Sequence, residues 1–318
     1  MTPTRPGIVT VSLNSAIDQT LDCPGFTAGT VNRVVSETRT AGGKAINVAA
    51  FLAGGPTPVT VAGILGLDNT HLFDALFRER GIHDRLLRLP GSSRVNIKVV
   101  DREGGAVTDL NLPGLKVSDE ALQRLLEKLE GLARDNGCFV LAGSLPSGVP
   151  EDVYATLTAR LRARGCLVVV DTSGAPLRHA VGAKPDFVKP NAHELSELLG
   201  RPLPDRADVV RAARELHATG IGLVVVSLGG EGAIFVGAEG ALLAVPPRVE
   251  VASTVGAGDA MVAGVLAARL AGGSLEACAR HGTAFAAGKL AQVGPVPPSP
   301  ERVKALRREV VIHSLGSG

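Results

Sequence analysis

Aromatic residues are scarce in this 318-residue sequence, which has no tryptophan, one tyrosine and only 3% aromatic residues in all. Proteins that bind single-stranded nucleic acid use aromatic side chains as stacking platforms, so this class is disfavoured. An excess of charge is also absent, because 33 Lys and Arg residues balance 31 Asp and Glu residues to a net charge of +2. No long-range field therefore favours nucleic acid or an anionic membrane as a partner.

Long apolar runs and paired cysteines are missing as well. No apolar run approaches the roughly 18 residues of a membrane-spanning helix, and the N-terminal one is short, so neither a membrane span nor a signal sequence is expected. The four cysteines are widely spaced and form no CxxC pair: Cys23, Cys138, Cys166 and Cys278. We expect buried, reduced thiols, which are typical of a cytoplasmic protein.

Short β-branched runs alternate with segments of helical period along most of the chain. A hydrophobic content of 45% with 20% charged residues excludes disorder over the whole chain. The runs are continuously apolar, which is typical of parallel strands covered on both faces. This alternation predicts an α/β fold, a parallel sheet with helices on both faces. The expected strands are 7–13, 58–65, 137–142, 166–171, 186–189 and 222–228, and the expected helices are 43–54, 70–81, 118–134, 150–164, 191–200, 205–219 and most of 257–309.

Two segments break this alternation. Residues 15–40 and 94–112 are extended stretches of alternating polar and apolar residues with no helix between their strands. The sequence Glu103-Gly104-Gly105 predicts a hairpin turn. We expect one small antiparallel accessory sheet, while two edge hairpins of the main sheet are the alternative. The final HSLGSG is expected to fray.

The sharpest motif is TVGAGDA, in which small residues lead directly into a predicted helix. Gly256, Ala257 and Gly258 allow their backbone N–H groups to converge on one point, at the positive end of the helix. This arrangement suits a phosphate or a developing anion, and Asp259 beside it could accept a proton from a hydroxyl. The alternative is a glycine-rich turn in which Asp259 only complements the helix dipole.

A second glycine pair, Gly42-Gly43, precedes the predicted helix that carries Asn47. Lys44 is a cation at the positive end of this helix, which is unfavourable unless an anionic ligand binds there. We therefore favour a ligand site over a simple turn.

Polar residues also follow several predicted strands: Asp18, Lys189, and Asn191 with Glu194 three residues later. Asn191 and Glu194 could form a helix capping pair, or could serve Mg²⁺ and its waters as oxygen ligands. Two further clusters, 143–148 and 227–232, follow strands in the same way. Ligands of open α/β sheets bind at the carboxyl ends of the strands, so all these clusters could share one site.

Four motifs together resemble the PfkB (ribokinase-like) carbohydrate kinases: GGKAINVA, the NxxE beginning at Asn191, SLGGEGA and TVGAGDA. The resemblance covers about residues 8–300. Within the family, the chain is most similar to kinases of fructose 1-phosphate. Kinases of tagatose 6-phosphate and fructose 6-phosphate share the frame but are less similar over 94–114.

This resemblance implies a single ribokinase-like domain over 1–318, a Rossmann-like parallel-sheet domain with a small β-sheet lid. The lid would comprise about 15–40 and 92–114, and the nucleotide-binding half about 185–310. ATP, Mg²⁺ and a phosphorylated ketose are the implied ligands. Such a lid would expose strand edges and an apolar face, and burial of these against a second copy would protect them, so a homodimer through the lid is expected.

The resemblance also assigns roles to residues. The catalytic group comprises the base Asp259 and the anion-binding Gly256, Ala257 and Gly258. The substrate-binding group comprises Asp18, Gly42, Gly43, Asn47, Arg94 and Ser144, to which Lys44 and Lys98 are added on charge grounds. The cofactor-binding group comprises Lys189, Asn191, Ser227, Gly229, Gly232 and Thr254, with Asn191 and Glu194 influencing Mg²⁺ through water.

The implied reaction is phosphoryl transfer from ATP to the C6 hydroxyl of fructose 1-phosphate, with Asp259 accepting the hydroxyl proton. Two other classes of protein are alternatives to a kinase. A non-catalytic sugar- or nucleotide-binding regulator would keep the pocket without the chemistry, but every catalytic element is present. A dinucleotide-binding oxidoreductase is disfavoured because SLNSAID, and not GxGxxG, follows the first strand.

Overall fold

The computed structural model describes residues 6–316. Its strands are β1 (Ile8–Ser12), β2 (Ala16–Asp22), β3 (Ser36–Gly42), β4 (Val59–Gly66), β5 (His83–Leu89), β6 (Arg94–Asp101), β7 (Ala106–Asn111), β8 (Cys138–Ala142), β9 (Leu167–Asp171), β10 (Phe187–Val188), β11 (Leu223–Ser227), β12 (Ala233–Gly237), β13 (Gly240–Val245) and β14 (Val311–Ser314). Its α-helices are α1 (Lys44–Leu52), α2 (His71–Arg80), α3 (Asp119–Leu132), α4 (Val153–Ala163), α5 (Gly174–Gly182), α6 (Ala192–Leu199), α7 (Arg206–Ala218), α8 (Ala257–Leu270), α9 (Leu275–Leu290) and α10 (Pro300–Glu309).

The main sheet has the strand order β14-β13-β12-β11-β10-β9-β8-β1-β4-β5. From β5 to β11 all neighbouring strands are parallel, and β1, β8 and β9 are buried along their whole length. Alternate residues of these strands face two separate apolar clusters: Ile8 belongs to one, and Val9 and Val11 belong to the other. The predicted α/β fold with a core on each face of the sheet is therefore confirmed.

The far edge of the main sheet departs from the expected parallel pattern. β12, β13 and β14 are antiparallel to their neighbours. The β12–β13 link spans only 238–239, and a connection this short can join antiparallel strands but not parallel ones. The prediction that HSLGSG frays was wrong for its first residues, since His313 and Ser314 pair with β13. Its last two residues, 317–318, lie outside the described residues.

A separate four-stranded sheet, hereafter the small sheet, has the order β3-β2-β6-β7. The alternative of two edge hairpins of the main sheet was therefore wrong. β2–β3 and β6–β7 are antiparallel as expected, and the predicted turn over 103–105 lies between β6 and β7. The central pair β2–β6 is parallel, which corrects the expectation of a purely antiparallel sheet. β2 follows β1 in the chain and β6 follows β5, and β1 and β5 run in the same direction in the main sheet. The chain therefore enters the small sheet in the same direction both times, which makes β2 and β6 parallel.

The helices predicted from periodicity are present with ends shifted by a few residues. In α3 the leucine stripe is buried through Leu122, Leu125, Leu126 and Leu129, and the Ser118 side chain accepts a hydrogen bond from the first turn at 3.2 Å. All four cysteines are buried and free, as expected. Between residues 6 and 316, no helix combines the length and the apolar character needed to cross a membrane.

Candidate active site

The carboxyl ends of five parallel strands meet at one edge of the main sheet. β1, β8, β9, β10 and β11 run in the same direction, so the segments that follow them lie side by side. The helices α1 and α8 begin at the same edge, because their first turns contact residues there. The strand-end clusters of the sequence therefore share one location, where open α/β sheets bind their ligands.

The TVGAGDA motif forms the entry to α8. Gly256 is the N-cap of this helix and has a φ of 78°, in the left-handed region that residues with side chains seldom adopt. Glycine here lets the chain turn sharply into the helix. The first N–H groups of α8 have no acceptor within the helix, and the helix dipole is positive at this end. The turn therefore offers an anion site directly beside Asp259.

Asp259 is buried in the first turn of α8, with 6% of the residue exposed. Asn47 Nδ2 donates a hydrogen bond of 2.8 Å to Asp259 Oδ2. Burial raises the pKa of Asp259 to about 6, and the nearby charge of Asp171 adds to the rise. The Asn47 hydrogen bond and the charges of Lys44 and Lys189 oppose it. A carboxylate with this pKa can accept a proton from a hydroxyl near neutral pH.

Asp171, the last residue of β9, joins two lysines of the site. Its Oδ1 accepts a hydrogen bond from Lys44 Nζ at 2.9 Å and lies 3.6 Å from Lys189 Nζ. Burial alone would raise the pKa of Asp171, but the charges of Lys189 and Lys44 outweigh burial and hold it below its usual range. The pKa of Lys44 is raised, because Asp171 and Asp259 outweigh the effect of its own burial. We call Lys44, Asp171 and Lys189 the lysine–aspartate cluster.

Sequence reasoning missed Asp171. The only available signal was its position as the polar residue that ends an apolar strand, VVVD, at the same edge as the other clusters. The cluster is joined to the anion site through Lys189. A Cβ atom at Gly258 would lie 3.3 Å from Lys189 Nζ, so this ammonium group faces the first turn of α8.

A second group of contacts connects Asp18 of the small sheet to the start of α1. A Cβ atom at Gly42 would lie 2.1 Å from Asp18 Oδ2, so glycine leaves room for the carboxylate to pass the backbone. Asn96 Nδ2 donates to Asp18 Oδ1 at 2.9 Å, and burial raises the pKa of Asp18. Asn96, the residue paired with Asp18 across β2 and β6, was also missed by the sequence analysis. Gly43 follows as the N-cap of α1.

A third group lies around Asn14, another residue that the sequence analysis missed. Asn14 Nδ2 donates to Ser144 Oγ at 3.2 Å, and its backbone oxygen accepts from Arg94 Nε at 3.3 Å. Asn14 therefore links the two residues expected at the substrate phosphate. Lys98 lies on the same face of β6 as Arg94 but about 13 Å further along the strand. It forms an ion pair with Asp109 on β7 and is not part of this group.

Asn191 and Glu194 form a complete capping box at the start of α6. Asn191 Oδ1 accepts from the backbone N–H of Glu194, and Glu194 Oε2 accepts from that of Asn191, both at 2.8 Å. The capping alternative is therefore confirmed. The box leaves Glu194 Oε1 unused, and Asp171 Oδ2 is buried without a hydrogen-bond partner.

These free oxygens bear on whether Mg²⁺ fits this edge. Within residues 6–316, no group of three acidic, His or Cys side chains could hold a metal by itself. Mg²⁺ commonly keeps several waters and binds one or two carboxylates together with substrate phosphates. Carboxylate oxygens of Asp171 at the end of β9 and Glu194 at the start of α6 therefore suit Mg²⁺ bound mainly by water and phosphate.

The remaining residues expected to bind ATP lie along the same edge. Ser227 ends β11, and a short 3-10 helix, Gly229–Glu231, leads from it to Gly232. The Ser227 backbone N–H donates to the Pro190 oxygen at 3.1 Å, which joins this turn to the segment that carries Lys189. Thr254 lies two residues before Gly256 in the chain. The Ala257 backbone N–H donates to the Thr254 oxygen at 3.4 Å, which joins Thr254 to the first turn of α8.

Comparison with known proteins decides the family. A model of the pfkB family carbohydrate kinases matches residues 8–302. The chain belongs to this family. The match confirms the resemblance read from the four motifs, so the protein is a phosphotransferase that acts on a sugar hydroxyl with ATP as the other substrate.

Curated relatives cover almost the whole length of this pfkB-family chain. The 1-phosphofructokinase of Rhodobacter capsulatus is 48% identical over 97% of this chain and 98% of its own. The 1-phosphofructokinase of Xanthomonas campestris pv. campestris is 47% identical over 96% of this chain and 98% of its own. A solved structure described as a possible 1-phosphofructokinase from Thermotoga maritima has a TM-score of 0.88 at 26% identity, over 98% of this chain and 100% of that one.

Proposed function

We propose that this pfkB-family kinase is a 1-phosphofructokinase, which transfers the γ-phosphoryl group of ATP to the C6 hydroxyl of fructose 1-phosphate. The activity of two relatives at 48% and 47% identity supports this choice of substrate. The proposed chemistry depends mainly on Asp259, which is buried at the N-terminus of α8 and has a pKa raised to about 6. Asn47 holds its carboxylate through a hydrogen bond.

In the proposed reaction the hydroxyl oxygen attacks the γ-phosphorus in line as Asp259 takes the hydroxyl proton. The new O–P bond forms, the bond between the γ-phosphorus and its bridging oxygen breaks, and ADP leaves. The N–H groups of Gly256, Ala257 and Gly258 and the ammonium group of Lys189 offset the negative charge on the transferring group. These donors act more strongly in a site from which water is excluded.

The nucleotide is proposed to bind together with Mg²⁺. Glu194 and Asp171 would hold its water shell, and Asn191 would act by fixing Glu194 in the capping box. When bound, the ion would supply positive charge to the phosphate oxygens of ATP. Ser227, Gly229, Gly232 and Thr254 are proposed to line the nucleotide, within a nucleotide-binding half of about 185–310.

The opposite end of the site is proposed to bind the sugar phosphate. Asp18, Asn47 and the Gly42-Gly43 backbone would bind sugar hydroxyls, and Arg94 with Ser144 would bind the 1-phosphate. Arg presents a planar fork of donors that suits a phosphate group. Lys44, bound to Asp171, would add positive charge at longer range. Lys98 would reach the phosphate only if the ion pair with Asp109 opens.

The small sheet is proposed to act as a lid, over about 15–40 and 92–114 of a single kinase domain, and as a dimer interface. Support comes from exposed apolar side chains in this part of the chain: Val31 at 92% and Val35 at 67% exposure in the loop between β2 and β3, and Leu110 at 50% on β7. Burying them against a second copy would also protect the sheet edges. Light scattering that finds a monomer at assay concentrations would rule out the dimer. A cytoplasmic location is part of the proposal because four free buried thiols suit a reducing compartment.

The deciding experiment is a kinetic panel with fructose 1-phosphate, fructose 6-phosphate and tagatose 6-phosphate. ADP release is measured with each sugar at equal Mg-ATP, and Asp259→Asn is the inactive control. We expect the largest kcat/KM for fructose 1-phosphate and a loss of at least about 100-fold in the variant. A preference for either 6-phosphate sugar would assign the substrate to another branch of the family. Absence of turnover with every sugar would favour the non-catalytic regulator.

A further inference from the structure

A buried lysine lies behind the first turn of α8, outside the lysine–aspartate cluster. Lys289 is in the last turn of α9 and is 1% exposed. Its Nζ donates one hydrogen bond, of 2.8 Å, to the backbone oxygen of Gln292. Among the described residues it forms no ion pair. A lysine buried in this way is rare, because an ammonium group loses its hydration when it leaves water.

The side chain of Lys289 packs against the anion-binding turn. A Cβ atom at Gly256 would lie 3.6 Å from Lys289 Cε and 3.6 Å from the ring of Phe51, so both side chains support this glycine from behind. The chain that enters the turn is also tied to the end of α9. The backbone N–H groups of Ala252 and Ser253 donate to the oxygen of Leu290, at 2.8 and 3.1 Å.

Packing alone does not account for a charged side chain at position 289. A methionine has a similar length and would fill the same space without the cost of burying a charge. At the C-terminal end of α9 the ammonium group complements the negative end of that helix. It also adds positive potential to the turn of α8 that would receive the phosphoryl group. Burial lowers the pKa of Lys289, and the carboxylate of Asp259 opposes this effect.

We propose that Lys289 is a positioning residue, a fixed internal cation that holds the Gly256 turn in place and strengthens its positive potential toward the transferring phosphoryl group. Lys289 does not touch the substrates in this role and acts through the backbone of the turn. The inference rests on the proposed kinase function of this site. Because negative charge is redistributed over the phosphoryl oxygens and the leaving oxygen in the transition state, the effect belongs to kcat more than to KM.

The test is Lys289→Met, with Lys304→Met on the surface of α10 as the matched control. We expect kcat to fall by about 10- to 30-fold, the scale of a charge at a partly buried helix end. The KM values for ATP and sugar phosphate should change by less than about 3-fold. The melting temperature should stay within about 3 °C of the parent, because the lost hydrogen bond and the removed burial of a charge have opposite signs. Lys304→Met should match the parent in all four quantities.

Two results would overturn the inference. One is a kcat for Lys289→Met within about 3-fold of the parent. The other is insoluble protein, or a kcat that falls together with a melting temperature more than about 3 °C below the parent, since either would mean that Lys289 only stabilises the fold. The ratio of kcat values is measured with whichever sugar phosphate the parent turns over. The proposed substrate can therefore fail without affecting this result.

Discussion

Replacing Asp259 by asparagine should increase the stability of the substrate-free protein while it abolishes turnover. The pKa of Asp259 is raised from 3.8 to about 6, so the folded protein holds the proton of this group more tightly than the unfolded chain does. A rise of about 2 pH units corresponds to about 3 kcal/mol of unfolding free energy. Asparagine has the shape of the neutral acid and can accept the hydrogen bond from Asn47, so Asp259→Asn relieves this cost.

The size of this stability gain depends on pH in a way that can be measured. Above pH 6 both the folded and the unfolded parent carry the charge at residue 259, and the full cost is present. As the pH falls toward 3.8 the folded state protonates first, so the advantage of the variant should shrink to about half at pH 5 and nearly vanish below pH 4. At pH 8 the variant should melt about 4 °C higher, from an unfolding entropy of about 0.7 kcal/mol/K for 318 residues.

The control is Asp171→Asn, a buried carboxylate whose pKa is shifted in the opposite direction. Its loss leaves Lys44 and Lys189 without their partner, so this variant should be less stable at pH 8 by about 3 kcal/mol or more. Calorimetry of both variants at pH 8 and pH 5, without ligands, provides the measurement. A less stable Asp259→Asn protein at pH 8, or a gain that is equal at both values, would refute the reasoning.

Three further predictions concern activity. The kcat of the parent should rise with pH as Asp259 in the substrate complex loses its proton, and Asn47→Ala should move this limb to higher pH because the lost hydrogen bond favours the carboxylate; kcat is followed because a substrate phosphate itself titrates near pH 6. Gly42→Ala should displace the Asp18 carboxylate, so KM for the sugar phosphate should rise about 10-fold while KM for ATP stays unchanged. The control is Gly131→Ala on α3, where an added Cβ atom meets no neighbour, and it should leave both KM values unchanged. Arg94→Met should raise KM for fructose 1-phosphate by about 10- to 100-fold, the scale of a hydrogen bond to a charged group, and an unchanged KM would remove Arg94 from the phosphate site.

The main sheet was predictable from sequence because burial on both faces leaves continuous apolar runs. β5, His83–Leu89, escaped detection because it is an edge strand, half exposed, and carries Asp84, Arg85 and Arg88. The parallel pairing of β2 with β6 could not be read from either segment. It depends on the direction of β1 and β5, which is a property of the whole fold.

The catalytic end of the site was easier to predict than its partners. Glycine pairs and a carboxylate at a helix start leave a local signature, and that signature led to Asp259. Asn14 and Asn96 leave none, and Asp171 leaves only its position at the end of an apolar strand, because each is a single polar residue in a strand or next to one. Their importance arises from contacts with residues 78 to 130 positions away, which only the folded chain reveals.

The lysine–aspartate cluster limits how far the pKa of Asp259 rises in the empty site. Bound triphosphate brings several negative charges to the N-terminus of α8, and each raises the pKa of a nearby carboxyl group further. A base with a pKa near 6 in the empty site would therefore protonate at neutral pH unless a further cation offsets the added charge, and Mg²⁺ bound with ATP would supply it. Lys44 and Lys189 already lower the pKa of Asp259, and Asp171 fixes both of them in position. We propose that Asp171 serves the reaction without touching the hydroxyl, because it holds in place two positive charges that lower the pKa of the base.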